Sequence, residues 1–371
     1  MTIGLLRESS PETRVSLTDE TVAALVKKGQ QVFVEKGAGE TAFCNDDLYL
    51  KAGATVTDRE AVIAASEVLL CMHTLPVASL AALKGKVLIG SFQPLYQPDW
   101  VKAAATAGIT CFSLDMLPRT TRAQAMDILS SQANIAGYKA VLLAATSYGR
   151  YFPMFMTAAG SIAPAKVLIL GAGVAGLQAI ATAKRLGAVV EVFDTRPAVK
   201  EEVMSLGAKF IEVEGAADAS KAGGYAVEQS EEYQRKQRER IAQSAAKADI
   251  IITTAQIPGK KAPILITEDM IALMRNGSVI IDLAAATGGN TPFTRNRDTV
   301  VVNGVSIIGD SQLPATLPAD ASKLYGKNLF NFLQLIITKE GSLHLNWDDD
   351  LVKGSCITHE GAVVHERLLS N

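Results

Sequence analysis

Residues 166–197 read KVLILGAGVAGLQAIATAKRLGAVVEVFDTRP. From Val167 to Ala183 nearly every side chain is apolar or small, with Gln178 and Thr182 the polar exceptions. Hydropathy alone would flag such a run as a membrane-span candidate. The glycines argue otherwise. Gly171, Gly173 and Gly176 follow the strand-like run KVLIL and open the helix-like segment LQAIATAKRLG. That is the strand, tight turn and helix order in which G-x-G-x-x-G holds a dinucleotide. Gly171 turns the chain off the strand, Gly173 lets the backbone approach a pyrophosphate, and Gly176 lets helix and sheet pack closely. The helix N-terminus adds partial positive charge and free N–H groups.

A second strand, VVEVF, then ends in Asp194, about 20 residues beyond the glycines, where an acid hydrogen-bonds the adenosine ribose hydroxyls. A carboxylate there repels a 2′-phosphate, so the sequence predicts a preference for NAD(H) over NADP(H). Arg196 pulls the other way, since a nearby arginine is how a 2′-phosphate is accommodated.

At 371 residues the chain exceeds one hydrophobic core, so two domains are expected. A net charge of −2 leaves no basic field for nucleic acid. Cys44, Cys71, Cys111 and Cys356 stand far apart, in no metal-ligand or disulfide spacing, and read as buried free thiols. Arg7 and Glu8 fall where a secretory signal needs its apolar stretch, so a cytoplasmic location is expected.

Outward from the fingerprint, the pattern is one of alternating strands and helices. IGLL, QVFVEKG, EVLLCM, KVLIGSF and ITCFSL read as strands, with TDETVAALVKKG and QPDWVKAAATAG as helices between them. Such alternation predicts a parallel sheet covered on both faces. Residues 122–148 read as one long helix, interrupted only by Gly137, that carries the chain from a first domain into a second. After the fingerprint come a charged loop and helix (Glu214 to Lys247), strands at DIIITTA, SVIIDLA and VSIIGD, and a helix at ITEDMIALMRNG. This order completes a doubly wound sheet. The apolar helix LYGKNLFNFLQLII needs a partner surface and is placed back on the first domain, ahead of a polar tail. The predicted architecture is α/β: two Rossmann-like domains with parallel sheets, residues 1–129 plus 317–371 and residues 130–316, joined by a long helix.

His73, His344, His359 and His365 form no triad or metal spacing. A more suggestive cluster is PRTTRAQAMDILSSQAN. Arg119 and Arg122 precede a helical stretch in which Gln124, Asp127 and Ser130 recur every third residue and share one face. Helix capping is the plainer account, with Thr120 and Thr121 as N-cap types; a position at the domain junction, where pockets form, favours ligand contact. Gly223 and Gly224 before Tyr225 read either as a solvated insertion or as the hinge of a lid over the nucleotide.

Over nearly its whole length the chain resembles the NAD(H)-binding component of proton-translocating nicotinamide nucleotide transhydrogenase, a relative of alanine dehydrogenase. The resemblance rests on residues 117–138, 156–188, FDTRPAVKEEV, AGGYA, ITTAQIPGKKAP and SVIIDLAAATGGN. It implies that Arg119, Gln124, Asp127 and Ser130 lie beside the nicotinamide and its ribose. It also implies that Gly171, Gly173, Val174, Gly176, Asp194, Thr195, Arg196 and Gln256 line the rest of the cofactor site, with Gly224 and Tyr225 in a mobile loop. The family's pattern further implies a homodimer, NADP(H) bound on a separate subunit, and a membrane-spanning subunit that conducts protons. The chain itself then sits on the cytoplasmic side of the membrane through its partners.

Alanine dehydrogenases resemble the chain too, and the rival expectation is a free-standing amino-acid dehydrogenase. Those enzymes use a lysine and a histidine where this sequence reads LLCMHTLP and LIGSFQPLYQ, with Met72 at the lysine position and Ser91 or Phe92 at that of the histidine. Amino-acid oxidation needs a proton acceptor there; hydride exchange between two nicotinamides needs none. Gln256 also departs from the apolar residue common at its position.

Overall fold

The computed structural model describes residues 1–213, 215 and 230–369. Contacts divide the chain into two compact units, residues 1–132 with 315–371, and residues 133–314.

In chain order the first unit contributes β1 (Thr2–Leu5), β2 (Gln31–Glu35), β3 (Thr55–Thr57), β4 (Val68–Leu70), β5 (Val87–Gly90) and β6 (Thr110–Ser113). The second contributes the hairpin β7 (Phe155–Thr157) and β8 (Gly160–Ile162), then β9 (Lys166–Leu170), β10 (Val189–Phe193), β11 (Lys209–Phe210), β12 (Ile250–Thr253), β13 (Val279–Asp282), β14 (Asp298–Val302) and β15 (Val305–Gly309). The chain then returns to the first unit for β16 (Cys356–His359) and β17 (Ala362–Val363).

The first sheet has the order β17-β16-β6-β5-β4-β1-β2-β3. Strands β1 to β6 are mutually parallel, whereas β16 joins β6 antiparallel, with a register shift between Cys356 and Thr358. One face carries Ile3, Leu5, Val34 and Leu70, packed with Leu329, Phe332 and Leu333 of the helix Pro318–Ile336. The other packs Leu69, Leu88 and Cys111 against Trp100 and Val101. Burial on both faces explains why these strands read as continuous apolar runs. The stretch after Ile336, read from sequence as a polar tail, instead supplies a short helix (Asp350–Ser355) and the two antiparallel strands.

The second sheet has the order β11-β10-β9-β12-β13-β15-β14. It too is parallel apart from one antiparallel edge, β14 on β15, so both sheets are parallel-dominated and mixed. The order reverses direction between β9 and β12, the topological switch point where doubly wound folds bind ligands at the strands' carboxyl ends. Val167, Ile169, Val190, Ile252 and Ile281 pack on one face with Ala179, Ile180 and Ala183 of the helix Val174–Arg185.

The long helix begins at Ile128 rather than Arg122 and runs to Ser147. Residues Thr121–Met126 form a 3₁₀ turn instead. All four cysteines are buried and free. Among the described residues no helix is long and apolar enough to cross a membrane, and the apolar stretch 167–183 is divided between β9, the glycine turn and a 12-residue helix.

Candidate functional site

The glycine turn sits at the carboxyl end of β9. Gly171 has φ +105°, a left-handed conformation that disfavours a side chain, and its N–H donates to the carbonyl of Phe193 at the end of β10 (2.8 Å). A Cβ there would overlap the Thr254 hydroxyl, and one on Gly176 would overlap the Gly171 carbonyl oxygen. Gly173 differs: among the described residues a Cβ built on it meets nothing within 4 Å. Its absent side chain therefore serves no packing need among the described residues and leaves the backbone open to whatever approaches. Gly173 is the N-cap of the helix Val174–Arg185 and no side chain caps that end. The first helical N–H groups, from Val174 through Gly176, are therefore left for a ligand, with the helix dipole behind them. These features fit a dinucleotide pyrophosphate.

Asp194 follows β10 and its side chain is only 6% exposed. Its carboxylate is the hub of the turn. Oδ2 accepts from the Ala172 backbone N–H (2.7 Å), inside the glycine turn itself. Oδ1 accepts from the Arg196 backbone N–H (2.8 Å) and Nε (2.9 Å), while Arg196 Nη2 donates to Oδ2 (2.8 Å). The bond to Asp194 raises the guanidinium's pKa above its ordinary value despite burial. Thr195, between the two, is half-buried.

The loops after β12 and β13 complete this edge. The Thr254 N–H donates to the Leu170 carbonyl (2.9 Å), bringing the β12 loop beside the glycine turn. Gln256 is exposed, and its Nε2 donates to the Leu283 carbonyl at the end of β13 (2.7 Å), so a polar residue here ties two loops together where an apolar one could not. Asn290, for which the sequence alone suggests no role, clamps the same loop: it accepts from the Ala255 N–H and donates to the Ala255 and Pro263 carbonyls. Buried Asp282 holds Asn290 in turn, accepting from its N–H (2.6 Å) and from the Thr294 hydroxyl (2.6 Å). Its invisibility in sequence has a physical cause, because these bonds reach 8 to 35 residues along the chain. Gly224 and Tyr225 lie outside the described residues.

In the first unit, Arg119, Gln124, Asp127 and Ser130 fall in one loop and the helix start that follows it. Gln124, Asp127 and Ser130 do not share a helix face, because the 3₁₀ turn ends before Asp127 and the α-helix starts after it. Asp127 itself performs the capping assigned from sequence to the threonines: Oδ1 accepts from the Ser130 N–H (2.9 Å) and Oδ2 from its hydroxyl (2.6 Å). Arg119 and Gln124 are exposed. The turn between them is pinned from two sides. The Ala125 carbonyl accepts from both Asn328 and Asn331 of the helix Pro318–Ile336 (2.9 Å each), and Arg122 makes a two-pronged pair with Asp349 (2.6 Å each) and a further one with Asp350.

The positions that carry lysine and histidine in alanine dehydrogenases hold no proton acceptor. Met72 and Phe92 are buried apolar side chains, and Ser91 donates its N–H to the Met72 carbonyl (3.0 Å). His73 is committed elsewhere, with Nε2 2.8 Å from Glu12 Oε2. Burial pushes the Glu12 carboxyl up, but the hydrogen bonds from Arg14 and His73 outweigh it and hold the group well below the usual carboxylate range. Neighbouring Glu8, accepting from the Met72 N–H (2.6 Å), has the opposite balance: burial raises its pKa.

Residues 4–136 match the family described as Alanine dehydrogenase/PNT, N-terminal domain, and residues 140–366 match its C-terminal domain. A curated relative from Rhodospirillum rubrum, the first of the parts that make up its NAD(P) transhydrogenase subunit alpha, is 46% identical over 379 aligned positions, covering 99% of each chain. The solved structure of a transhydrogenase from Sinorhizobium meliloti superposes with a TM-score of 0.86 at 41% identity, covering 99% of this chain and 100% of that one. Alanine dehydrogenase of Bacillus subtilis is 26% identical over 99% of this chain and 93% of its own. With both domain descriptions matched in order along one chain, and with the fold and glycine turn just described, the chain belongs to the alanine dehydrogenase/PNT family.

Proposed function

We propose that the chain is the NAD(H)-binding component of a proton-translocating NAD(P) transhydrogenase. Hydride passes between NAD(H) held here and NADP(H) held on a separate subunit, and a membrane-spanning subunit couples the exchange to proton movement. The observation that carries this reading is a dinucleotide cradle in a chain without the proton acceptor of an amino-acid dehydrogenase: Gly173 is open while Met72 and Phe92 are buried and apolar. The relative named as a transhydrogenase subunit matches end to end, whereas identity to the dehydrogenase is much lower.

The chemistry the cofactor supplies is transfer of one hydride from C4 of a reduced nicotinamide to C4 of an oxidised one, with no proton released. The chain's work is therefore binding and orientation. The N–H groups at the start of the helix Val174–Arg185 hold the pyrophosphate, and Asp194 accepts from the adenosine ribose hydroxyls. Arg119, Gln124, Asp127 and Ser130 are assigned to the nicotinamide end, Gly224 and Tyr225 to a closing loop. Pinning of the Ala125 carbonyl and of Arg122 supports that assignment, since an exposed loop fixed at two points is suited to presenting side chains in a defined place.

A homodimer is part of the same reading. All six residues of the β7–β8 hairpin are exposed, among them Phe155, Met156 and Ile162, and Tyr151 packs on Phe155 beside them (ring centroids 4.4 Å). A two-stranded ribbon with this much apolar surface is marginal by itself and gains from being covered. Location on the cytoplasmic side of the membrane, through partner subunits, completes the proposal. The test is to add an NADP(H)-binding transhydrogenase component and follow hydride exchange between NADH and an NADP⁺ analogue. Rapid exchange that needs the partner is expected, and alanine-dependent reduction of NAD⁺ by the chain alone would overturn the reading in favour of the dehydrogenase.

A further inference from the structure

Asp194 has no acceptor capacity left. A carboxylate offers about four lone-pair sites, and Asp194 spends them on the Ala172 N–H, the Arg196 N–H, and two donors of the Arg196 guanidinium. The two backbone donors belong to the turns that follow β9 and β10 and cannot leave without dismantling them. The guanidinium is different. It reaches Asp194 on a flexible stem from only two residues away, and its side chain is 20% exposed where the carboxylate is 6%. Its two bonds to the carboxylate are therefore the ones that ribose hydroxyls could replace without dismantling a turn.

We infer that Arg196 is a specificity-determining residue of the dinucleotide site: it occupies the ribose-binding edge of Asp194 until a dinucleotide displaces it, and its charge lessens the rejection of a ribose 2′-phosphate. This inference rests on the dinucleotide reading given above and deepens it. An unscreened aspartate repels a phosphate strongly in a partly buried setting. A guanidinium locked two-pronged on that aspartate cancels much of the field, and once displaced it stands beside the 2′ position with donors matched to phosphate oxygens. The sequence D-T-R-P thus codes for a graded preference rather than an absolute one.

The experiment is titration of the isolated chain with NADH and with NADPH, read by nucleotide fluorescence, for the unaltered protein, Arg196→Gln and Arg196→Lys. Arg196→Gln is expected to widen the ratio of the NADPH and NADH dissociation constants by about fivefold or more, because it frees the Asp194 edge for the ribose hydroxyls of NADH while unmasking the carboxylate's repulsion of a 2′-phosphate. Arg196→Lys, which keeps the charge but loses the fork, falls between the two and reports even if the glutamine variant does not fold. A ratio unchanged or narrowed in the folded variants overturns the inference and leaves the NAD(H) site intact. Failure of the unaltered chain to bind NADH overturns the dinucleotide reading itself, and the inference with it.

Discussion

A Cβ on Gly137 would overlap the carbonyl oxygen of Ala175. Gly137 is the one glycine in the helix Ile128–Ser147, and Ala175 is in the first turn of the helix that follows the glycine fingerprint. The contact is backbone against backbone, so neither side can give by changing a rotamer. It is also local to the pyrophosphate cradle, because Ala175 N–H is one of the groups left open there.

Gly137→Ala therefore tests whether this close approach sets the cradle. Overpacking of this kind costs about 1–3 kcal/mol. Thermal melting should fall by several degrees, and NADH affinity should fall with it as the helix start is pushed aside. A variant with unchanged melting and affinity would show that the glycine is dispensable.

Gly173→Ala separates binding from stability. Its Cβ enters empty space in the free protein, so melting should stay within about 1 °C of the original, in line with substitutions that disturb no contact. NADH affinity should nonetheless drop by about tenfold or more, because the methyl group stands where the pyrophosphate comes closest. Gly176→Ala, whose Cβ overlaps the Gly171 carbonyl, should lose stability as well.

Asp127 carries two roles that one pair of variants can divide. Asparagine is as good an N-cap as aspartate, whereas alanine loses about 1 kcal/mol. Asp127→Asn should keep the Ser130 bond and the melting temperature while slowing hydride transfer, measured with the NADP(H)-binding partner, by about tenfold or more. Gln124→Asn, at an exposed position, should do the same. Normal rates in both would confine Asp127 to capping.

Glu8 makes a prediction about pH. Its folded pKa is raised above the ordinary 4.5 by burial, so the folded state binds its proton more tightly than the unfolded state does. The group's contribution is most favourable below pH 4.5 and is lost as pH rises through the folded value. Glu8→Gln keeps the bond from the Met72 N–H and removes the titration. Its melting temperature should exceed the original's at about pH 8, and the difference should shrink toward pH 4.5. A difference that grows on acidification would contradict this sign.

What the sequence disclosed and what it hid divide by distance along the chain. The fingerprint was legible because Gly171, Gly173, Gly176 and Asp194 stand within 24 residues, and the parallel strands because burial on both faces forces runs of Val, Ile and Leu. The 3₁₀ turn Thr121–Met126 was not, since its residues favour a helix and the contacts that pin it, from Asn328 and Asn331 and from Asp349 and Asp350, all come from more than 200 residues on. The hairpin β7–β8 escaped notice because no face of it is buried, which removes the alternation that marks a strand. Arg196 was visible as a residue of consequence, but its fourfold saturation of Asp194 together with Ala172 is a matter of geometry.

The first sheet takes β16, and the core of its first face takes the helix Pro318–Ile336, from beyond residue 314. Domains generally fold in the order in which they leave the ribosome. Here that order is inverted: residues 133–314 are complete while residues 1–132 still lack the segment that covers Leu5, Val34 and Leu70. The nascent N-terminal part therefore lacks the cover for one side of its sheet through the synthesis of an entire second unit, and apolar surface left open in this way is what chaperones shield.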